Sequence, residues 1–307
     1  MRPATDERQW LTILALIGAM LLWASSFVAL KYTFAQFDAT FVIFARMAIA
    51  SLFVLLFFRR AFREVTLTRR DWKYLIIMAL FEPCLYFIFE AEALKNTTAS
   101  QAGMITALLP IMVALGAWIW IREAIGWRVL LGGLLAFAGA AGLSMGASVS
   151  ASAPHPVYGN VMEFFAMISA TGYILTMKQL TQRFSALFVT VFQAFSGTLF
   201  FALLLMATGA KIPTSWPAAP TLALLYLGIA VTFGAYGLYN YGTSKMPASR
   251  SSLYINLIPV FAALLAWLLL DESLGWQELI AGAVILAGVF LAQSAPERSP
   301  DTSGEEL

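Results

Sequence analysis

Two stretches of 18 residues, 149 positions apart, follow the same pattern. Residues 110–127 read PIMVALGAWIWIREAIGW, and residues 259–276 read PVFAALLAWLLLDESLGW. Between residues 95 and 139, 15 of 45 positions are identical to the residue 149 positions later. Apolar composition alone would produce Leu and Ala coincidences, but it would not align Pro, Trp, Glu and Gly-Trp in order. The pattern therefore predicts an internal repeat.

Composition limits the class of protein that can contain this repeat. Hydrophobic residues make up 60% of the 307 residues, and Asp, Glu, Lys and Arg together make up 12%. Soluble globular proteins are about 45–50% apolar and about 25% charged. Disordered chains are polar and rich in charge. Both classes are excluded, and a polytopic membrane protein is expected.

Long apolar runs, separated by charges and turn residues, predict the spans. Each run is long enough to cross roughly 30 Å of hydrocarbon, where the backbone must satisfy its own hydrogen bonds by forming a helix. The expected fold is therefore an all-α membrane protein with ten transmembrane helices. The ten predicted spans are residues 10–30, 38–58, 72–93, 99–121, 127–146, 157–178, 185–207, 219–242, 249–270 and 275–293.

The basic residues predict the orientation of these spans. With the N-terminus in the cytoplasm, 15 of the 19 Lys and Arg residues fall on the inner side. Only Lys31, Lys95 and Lys211 fall on the outer side, and Arg46 lies inside a span. This bias follows the positive-inside rule and predicts that both termini are cytoplasmic.

The repeat divides the chain into two five-helix halves, residues 1–150 and residues 151–307, the second ending in a short cytoplasmic tail. Because five is odd, the second half should enter the membrane upside down relative to the first. Inverted repeats of this kind are typical of carriers, in which two similar conformations open to opposite sides of a site near the midplane.

Several motifs resemble the drug/metabolite transporter (DMT) superfamily, EamA type. They are the run from Trp23 to Phe27 with Lys31, Arg46 in span two, and the paired motifs Glu123-x-x-Gly126-Trp127 and Glu272-x-x-Gly275-Trp276. The resemblance covers nearly the whole chain and implies two inverted EamA repeats. It also implies a transporter, since members export amino acids and other metabolites and relatives carry sugar phosphates and nucleotide sugars.

A narrower resemblance lies in the third span. Glu82 followed by Cys84, in a segment rich in Phe and Tyr, resembles the YddG branch of aromatic amino-acid exporters. The expected function is therefore a secondary transporter that exports small organic metabolites, with aromatic amino acids favoured. The alternatives are a DMT carrier for a purine or sugar phosphate, a membrane enzyme or lipid-handling protein, and a small-molecule sensor.

Motifs for other activities are missing from the sequence. It contains neither a nucleotide-binding loop of Walker type nor a Gly-x-Ser-x-Gly nucleophile elbow. Cys84 and His155 are the single Cys and the single His. We therefore expect neither enzymatic activity nor a cofactor or metal. The expected partners are a small-molecule substrate and membrane lipid, with no nucleic acid, in a monomer or weak homodimer in the bacterial inner membrane.

Two prolines and two charges indicate where the transport path should lie. Pro110 and Pro259 occupy equivalent positions near the middle of spans four and nine, which predicts a pair of hinges, although proline also occurs in membrane helices without a gating role. Arg46 and Glu82 lie at similar depths in spans two and three. They either form a structural ion pair, or Glu82 receives a substrate ammonium group or a proton.

The remaining expectations concern helix faces. Glu82, Tyr86 and Glu90 share one face of a helix, with Glu90 near the outer end and within reach of water. Glycines in spans five and ten predict a tightly packed scaffold or a dimer surface. Glu123 and Glu272 are expected to cap the following helix or to bind loop backbone. Ten residues are predicted to bind substrate: Trp23, Phe27, Arg46, Glu82, Tyr86, Met104, Tyr173, Tyr239, Tyr254 and Asn256.

Overall fold

A computed structural model describes residues 4–63, 65–121, 126–245, 251 and 254–293. Within these ranges the chain is helical, with short connections and no β-strand. This agrees with the all-α class expected from composition. Glu123, expected to cap a helix, lies outside the described residues.

The described part of the first half contains eight α-helices, some of which follow one another within a single rod. Their bounds are α1 Ala4–Phe34, α2 Ala39–Val54, α3 Phe58–Ala61, α4 Arg69–Ala79, α5 Tyr86–Asn96, α6 Ala99–Ile105, α7 Leu109–Ile121 and α8 Trp127–Gly146. Three short segments of other helical geometry join them: Leu55–Phe57, Leu80–Leu85 and Thr106–Leu108.

The second half repeats this arrangement of long rods with short irregular segments. Its helices are α9 Pro156–Leu180, α10 Ala186–Thr208, α11 Ala218–Tyr226, α12 Tyr236–Lys245, α13 Leu257–Leu270 and α14 Trp276–Gln293. Segment Leu227–Ala235 joins α11 to α12, and a 3₁₀ turn, Tyr254–Asn256, precedes α13.

Seven helical stretches among the described residues are long and apolar enough to cross a membrane. Two shorter apolar helices, Tyr254–Leu270 and Trp276–Ala292, and the 25-residue α9 complete the bundle. The seven long stretches are Trp10–Phe34, Ala39–Phe57, Arg69–Asn96, Ala99–Trp120, Trp127–Gly146, Ala186–Thr208 and Ala218–Lys245.

Two of these stretches are interrupted at their centres by π-helical segments, Leu80–Leu85 and Leu227–Ala235. When the repeat offset of 149 is added to its residue numbers, the first segment falls inside the second. In the first, Pro83 has no backbone N–H, and the residue before it, Glu82, is extended at φ −149° and ψ 118°, as the steric effect of proline requires. In the second, the Thr232 hydroxyl donates to the Leu227 carbonyl at 2.8 Å across the widened turn.

The two glycine-rich helices, α8 and α14, pack directly against each other. A Cβ atom at Gly139 would lie 2.8 Å from the backbone nitrogen of Ile285 and 3.0 Å from the carbonyl oxygen of Ala281. Only a glycine permits this approach, which is how small residues bring membrane helices together. The close packing expected of spans five and ten is therefore present.

Glu272 links the two halves at one end of the bundle. Its carboxylate accepts hydrogen bonds from the backbone N–H groups of Ala99 and Ser100, at 3.1 and 3.0 Å, and from the Ser100 hydroxyl at 2.8 Å. The start of a helix favours a negative charge and offers free N–H donors. Glu272 thus caps α6, a helix of the other half, and not the helix that follows it in the chain.

The close contact between α8 and α14 predicts that a single added methyl group lowers the stability of the fold. Gly139→Ala should lower the free energy of unfolding by about 1–3 kcal/mol, because the added Cβ would overlap the backbone of α14. Gly142→Ala is the matched control, since a Cβ at Gly142, one turn away, meets nothing within 4 Å. Thermal unfolding in detergent measures both variants. Equal midpoints for the two would contradict this packing.

Candidate functional site

A small cavity, about 50 Å³ in volume, lies where the two interrupted stretches meet, in the middle of the bundle. We call it the central cavity. Seven aromatic side chains form much of its wall: Trp23, Phe27, Tyr86, Phe87, Tyr173, Tyr236 and Tyr239. Five polar residues, Ser26, Arg46, Glu82, Glu90 and Thr106, complete the wall together with aliphatic residues from α7, α9 and α13.

Arg46 is held at the wall of the central cavity by contacts on three sides. Its side chain is almost fully buried, and its Nε donates to the Thr232 hydroxyl at 3.0 Å. Its guanidinium carbon lies 4.4 Å from the centre of the Phe87 ring, which is a cation–π contact. On the third side, Nη1 lies 3.7 Å from Oε2 of Glu90.

The contact between Arg46 and Glu90 leaves both groups incompletely satisfied. Neither Nη1 of Arg46 nor Oε2 of Glu90 has a hydrogen-bond partner among the described residues, and both side chains are buried. Oε1 of Glu90 accepts from the Tyr86 hydroxyl at 2.9 Å. Because buried polar atoms are nearly always paired, these two atoms are candidates for contact with a ligand.

Two expectations about the charges therefore need correction. Arg46 forms its ion pair with Glu90, not with Glu82, because the backbone of Glu82 is extended and its carboxylate accepts instead from the Tyr236 hydroxyl. Glu90 does not reach water, since only 3% of its surface is exposed. Glu82, Tyr86 and Glu90 nevertheless all line the central cavity, as their shared helix face predicted.

Two tyrosine rings pack against Trp23, and a third packs against one of them. The Trp23 ring lies 5.3 Å from the ring of Tyr236, edge to face, and 4.9 Å from the ring of Tyr239. Tyr173 meets Tyr236 edge to face at 6.2 Å. The indole nitrogen of Trp23 is buried and has no hydrogen-bond partner among the described residues. The wall thus offers flat apolar faces and one free N–H donor, which suits an aromatic ligand.

A layer of hydrogen-bonded side chains lies beside the aromatic rings. The Tyr173 hydroxyl donates to Oδ1 of Asn240 at 2.8 Å, and Nδ2 of Asn240 donates to the Thr190 hydroxyl at 2.8 Å. Every one of these side chains is buried. The layer ties α9, α10 and α12 together and fixes the orientation of the Tyr173 ring.

Seven of the ten residues predicted to bind substrate lie on the wall of the central cavity: Trp23, Phe27, Arg46, Glu82, Tyr86, Tyr173 and Tyr239. Met104, Tyr254 and Asn256 are not on this wall. Met104 packs against α14, since a Cβ at Gly282 would lie 2.8 Å from its sulfur. Tyr254 and Asn256 flank Ile255 in a 3₁₀ turn, and it is Ile255 that faces the cavity.

Pro110 and Pro259 each lie next to a residue that lines the central cavity. Pro110 follows Leu109, and Pro259 follows Ile258, and both of these preceding residues line the central cavity. Each proline lies in the first turn of its helix and follows a 3₁₀ turn, where the missing N–H is tolerated.

The residues missed by sequence reasoning include Phe87, Glu90 and Tyr236. One signal could have found Tyr236, because the repeat offset of 149 relates it to Phe87. The same offset relates Glu90 to Tyr239, Thr106 to Ile255 and Leu109 to Ile258, and all eight residues line the central cavity. The cavity is therefore built from equivalent positions of the two halves.

Comparison with known proteins identifies the family. The model of the EamA-like transporter family matches residues 10–145 and again residues 157–293. The chain is 27% identical over 290 residues to the uncharacterized transporter YetK of Bacillus subtilis (strain 168), covering 93% of this chain and 87% of YetK. It is 26% identical over 282 residues to an uncharacterized transporter of Archaeoglobus fulgidus, covering 91% of this chain and 96% of that one.

Two further similarities concern substrate and fold. A probable terminal-alkyne amino-acid exporter of Streptantibioticus cattleyicolor is 24% identical over 280 residues, covering 90% of this chain and 91% of the exporter. One crystal structure has the same fold, with a TM-score of 0.65 and 21% identity over 92% of this chain and 96% of that chain. Because the family model matches most of the chain in two copies, this protein belongs to the EamA-like transporter family, and it is a multi-pass membrane transporter of the DMT superfamily.

Proposed function

We propose that the protein exports small organic metabolites, with aromatic amino acids as the preferred substrates, by alternating access around the central cavity. The observation that carries this proposal is the pair of buried, incompletely bonded atoms on the cavity wall, Nη1 of Arg46 and Oε2 of Glu90, 3.7 Å apart. An α-amino acid presents a carboxylate and an ammonium group at a similar separation. Its carboxylate would bind Arg46, and its ammonium group would bind Glu90.

The aromatic rings support a preference for aromatic side chains. With the two charged groups bound at Arg46 and Glu90, a planar side chain would lie against Trp23, Tyr236 and Tyr239. Offset and edge-to-face contacts between aromatic rings contribute about 0.5–1.5 kcal/mol each beyond the burial of apolar surface. A heteroaromatic ring could also receive a hydrogen bond from the indole nitrogen of Trp23. An amino-acid exporter among the relatives is consistent with this substrate class.

Transport tests the proposal directly. Purified protein in proteoliposomes loaded with unlabelled tryptophan should accumulate labelled tryptophan by counterflow, with saturation. Arg46→Gln should lower the rate by about tenfold or more, because a hydrogen bond to a charged group contributes about 1.5–3 kcal/mol, and 1.4 kcal/mol is a factor of ten.

Arg59→Gln is the matched control for charge, since Arg59 is exposed beyond the end of α2. It should transport at the normal rate. A monodisperse gel-filtration profile for Arg46→Gln separates a defect in transport from a defect in folding. Absence of saturable counterflow for every amino acid would reject the substrate class, and normal counterflow in Arg46→Gln would reject the role of Arg46.

Alternating access requires a particular topology, which is part of the proposal. We propose ten spans with both termini in the cytoplasm and two inverted halves, residues 1–150 and 151–307. The seven long apolar helices, with α9, α13 and α14, supply ten helical stretches among the described residues. The interruptions Leu80–Leu85 and Leu227–Ala235, at equivalent positions, are natural hinges together with Pro110 and Pro259.

Single cysteines test this topology in intact bacterial cells, in a Cys84→Ser background. Ser152 and Gln182 are both exposed, the first between α8 and α9 and the second between α9 and α10. A membrane-impermeant maleimide should label Ser152→Cys from outside, and it should label Gln182→Cys only after the membrane is permeabilised. The reverse pattern would overturn the proposed orientation.

A further inference from the structure

A second cavity borders the central one at the end of the bundle where α1 turns into α2. Its volume is about 320 Å³, and we call it the α1–α2 cleft. The rings of Phe34, Phe37, Phe87 and Phe201 form its apolar side. In the topology proposed above, this end of the bundle faces the outside of the cell.

Charged groups stand at the mouth of the α1–α2 cleft. Nζ of Lys95 lies 2.6 Å from Oε1 of Glu92, and both side chains are more than one-third exposed. Asp38, also exposed, accepts a hydrogen bond from the backbone N–H of Thr40 at 2.8 Å, so its carboxylate is engaged as a helix cap. The cleft therefore combines an apolar aromatic side with one exposed ion pair, Lys95 and Glu92, at its mouth. The central cavity also combines aromatic rings with an ion pair, which is buried there.

Phe87 is the partition between the two spaces. It lines both the central cavity and the α1–α2 cleft, and its side chain is almost fully buried. Arg46 lines the central cavity but not the cleft, so the guanidinium lies on the cavity side of the ring, 4.4 Å from its centre. The ring of Phe201 lies on the cleft wall, 6.3 Å from that of Phe87.

We propose that the α1–α2 cleft is a second substrate site, which an aromatic amino acid occupies after it leaves the central cavity, and that Phe87 is the gate between the two. The inference rests on the proposed function. A substrate carboxylate bound to Arg46 neutralises part of the charge that attracts the Phe87 ring, and a cation–π contact away from water contributes about 2 kcal/mol. Binding of substrate in the central cavity thus weakens the contact that holds the gate closed.

Substrate protection of a single cysteine tests the second site. In a Cys84→Ser background, Ile88→Cys places a thiol on the cleft wall next to Phe87, and labelling with a small methanethiosulfonate reagent is followed in purified protein. Tryptophan at twice its dissociation constant should slow this labelling about threefold, since protection follows one plus the ratio of ligand to dissociation constant. The exposed Ser152→Cys is the control and should label equally with and without tryptophan.

The same measurement in an Arg46→Gln background separates the two sites. Protection of Ile88→Cys should persist, because the cleft has its own cation, Lys95. Loss of protection in that background would overturn the proposal, since tryptophan would then be acting through the central cavity. Absence of protection with Arg46 intact would also overturn it. If Ile88→Cys does not fold, Leu204→Cys on the opposite wall of the cleft replaces it.

Comparing counterflow with cysteine protection distinguishes a failure of the second site from a failure of the proposed function. Counterflow without protection rejects the second site and leaves the function standing. The labelling assay does not depend on transport. It therefore shows whether the cleft binds tryptophan even if no counterflow is measured.

The gate has its own test. A thiol at Ser26→Cys lies on the central cavity wall, and Phe87→Ala should speed its labelling from the cleft side at least about tenfold. Phe89→Ala, whose ring packs on Phe165 instead, is the matched control and should have no effect. Equal labelling rates in the Phe87 and Phe89 variants would reject the gate.

Discussion

The contact between Arg46 and Glu90 places opposite charges inside an apolar bundle without satisfying either completely. Two charges removed from water recover their lost solvation only when geometry and hydrogen bonding are both good. Here the two atoms are 3.7 Å apart and make no hydrogen bond to each other. Such a contact stabilises the fold poorly, and intramembrane charges of this kind usually mark the path of a substrate or ion.

The surrounding structure is arranged around this pair. Thr232, in the second helix interruption, holds Nε of Arg46, and the Tyr86 hydroxyl holds the other oxygen of Glu90. Tyr236, just after the same interruption, holds Glu82, which lies in the first one. The two interruptions thus bring the charged groups of the first half against the hydroxyl groups of the second. The rigid packing of α8 on α14 lies apart from these contacts and supplies a frame.

Much of this arrangement could be predicted from the sequence, for physical reasons that differ between its parts. Apolar runs long enough to span a bilayer must be helical, so the helices were predictable from composition and spacing. Pro83 also signals the break at Glu82, because proline restricts the residue before it. The interruption at Leu227–Ala235 contains no proline, and its cause, a threonine hydroxyl bonded to a carbonyl five residues back, has no distinct sequence signal.

Side-chain pairing was less predictable than helix position. Arg46 and Glu82 lie at similar depths, yet the break turns Glu82 towards Tyr236 and leaves Glu90 as the ionic partner. Met104, Tyr254 and Asn256 have plausible depths but do not line the central cavity, and one sequence does not specify the rotation of a helix about its axis. The repeat offset, which relates Glu90 to Tyr239, also relates Phe87 to Tyr236, and this second relation could have identified both rings as cavity residues.

The central claim is that Arg46 and Glu90 together receive the two charged groups of an amino acid. Calorimetric titration of the purified protein with tryptophan, tryptamine and indole-3-propionate tests it most directly, because the two analogues lack the carboxylate and the ammonium group respectively. Tryptophan should bind more tightly than either analogue, by about tenfold or more, because each analogue lacks one of the two charged contacts. Equal affinity for tryptophan and either analogue would contradict it.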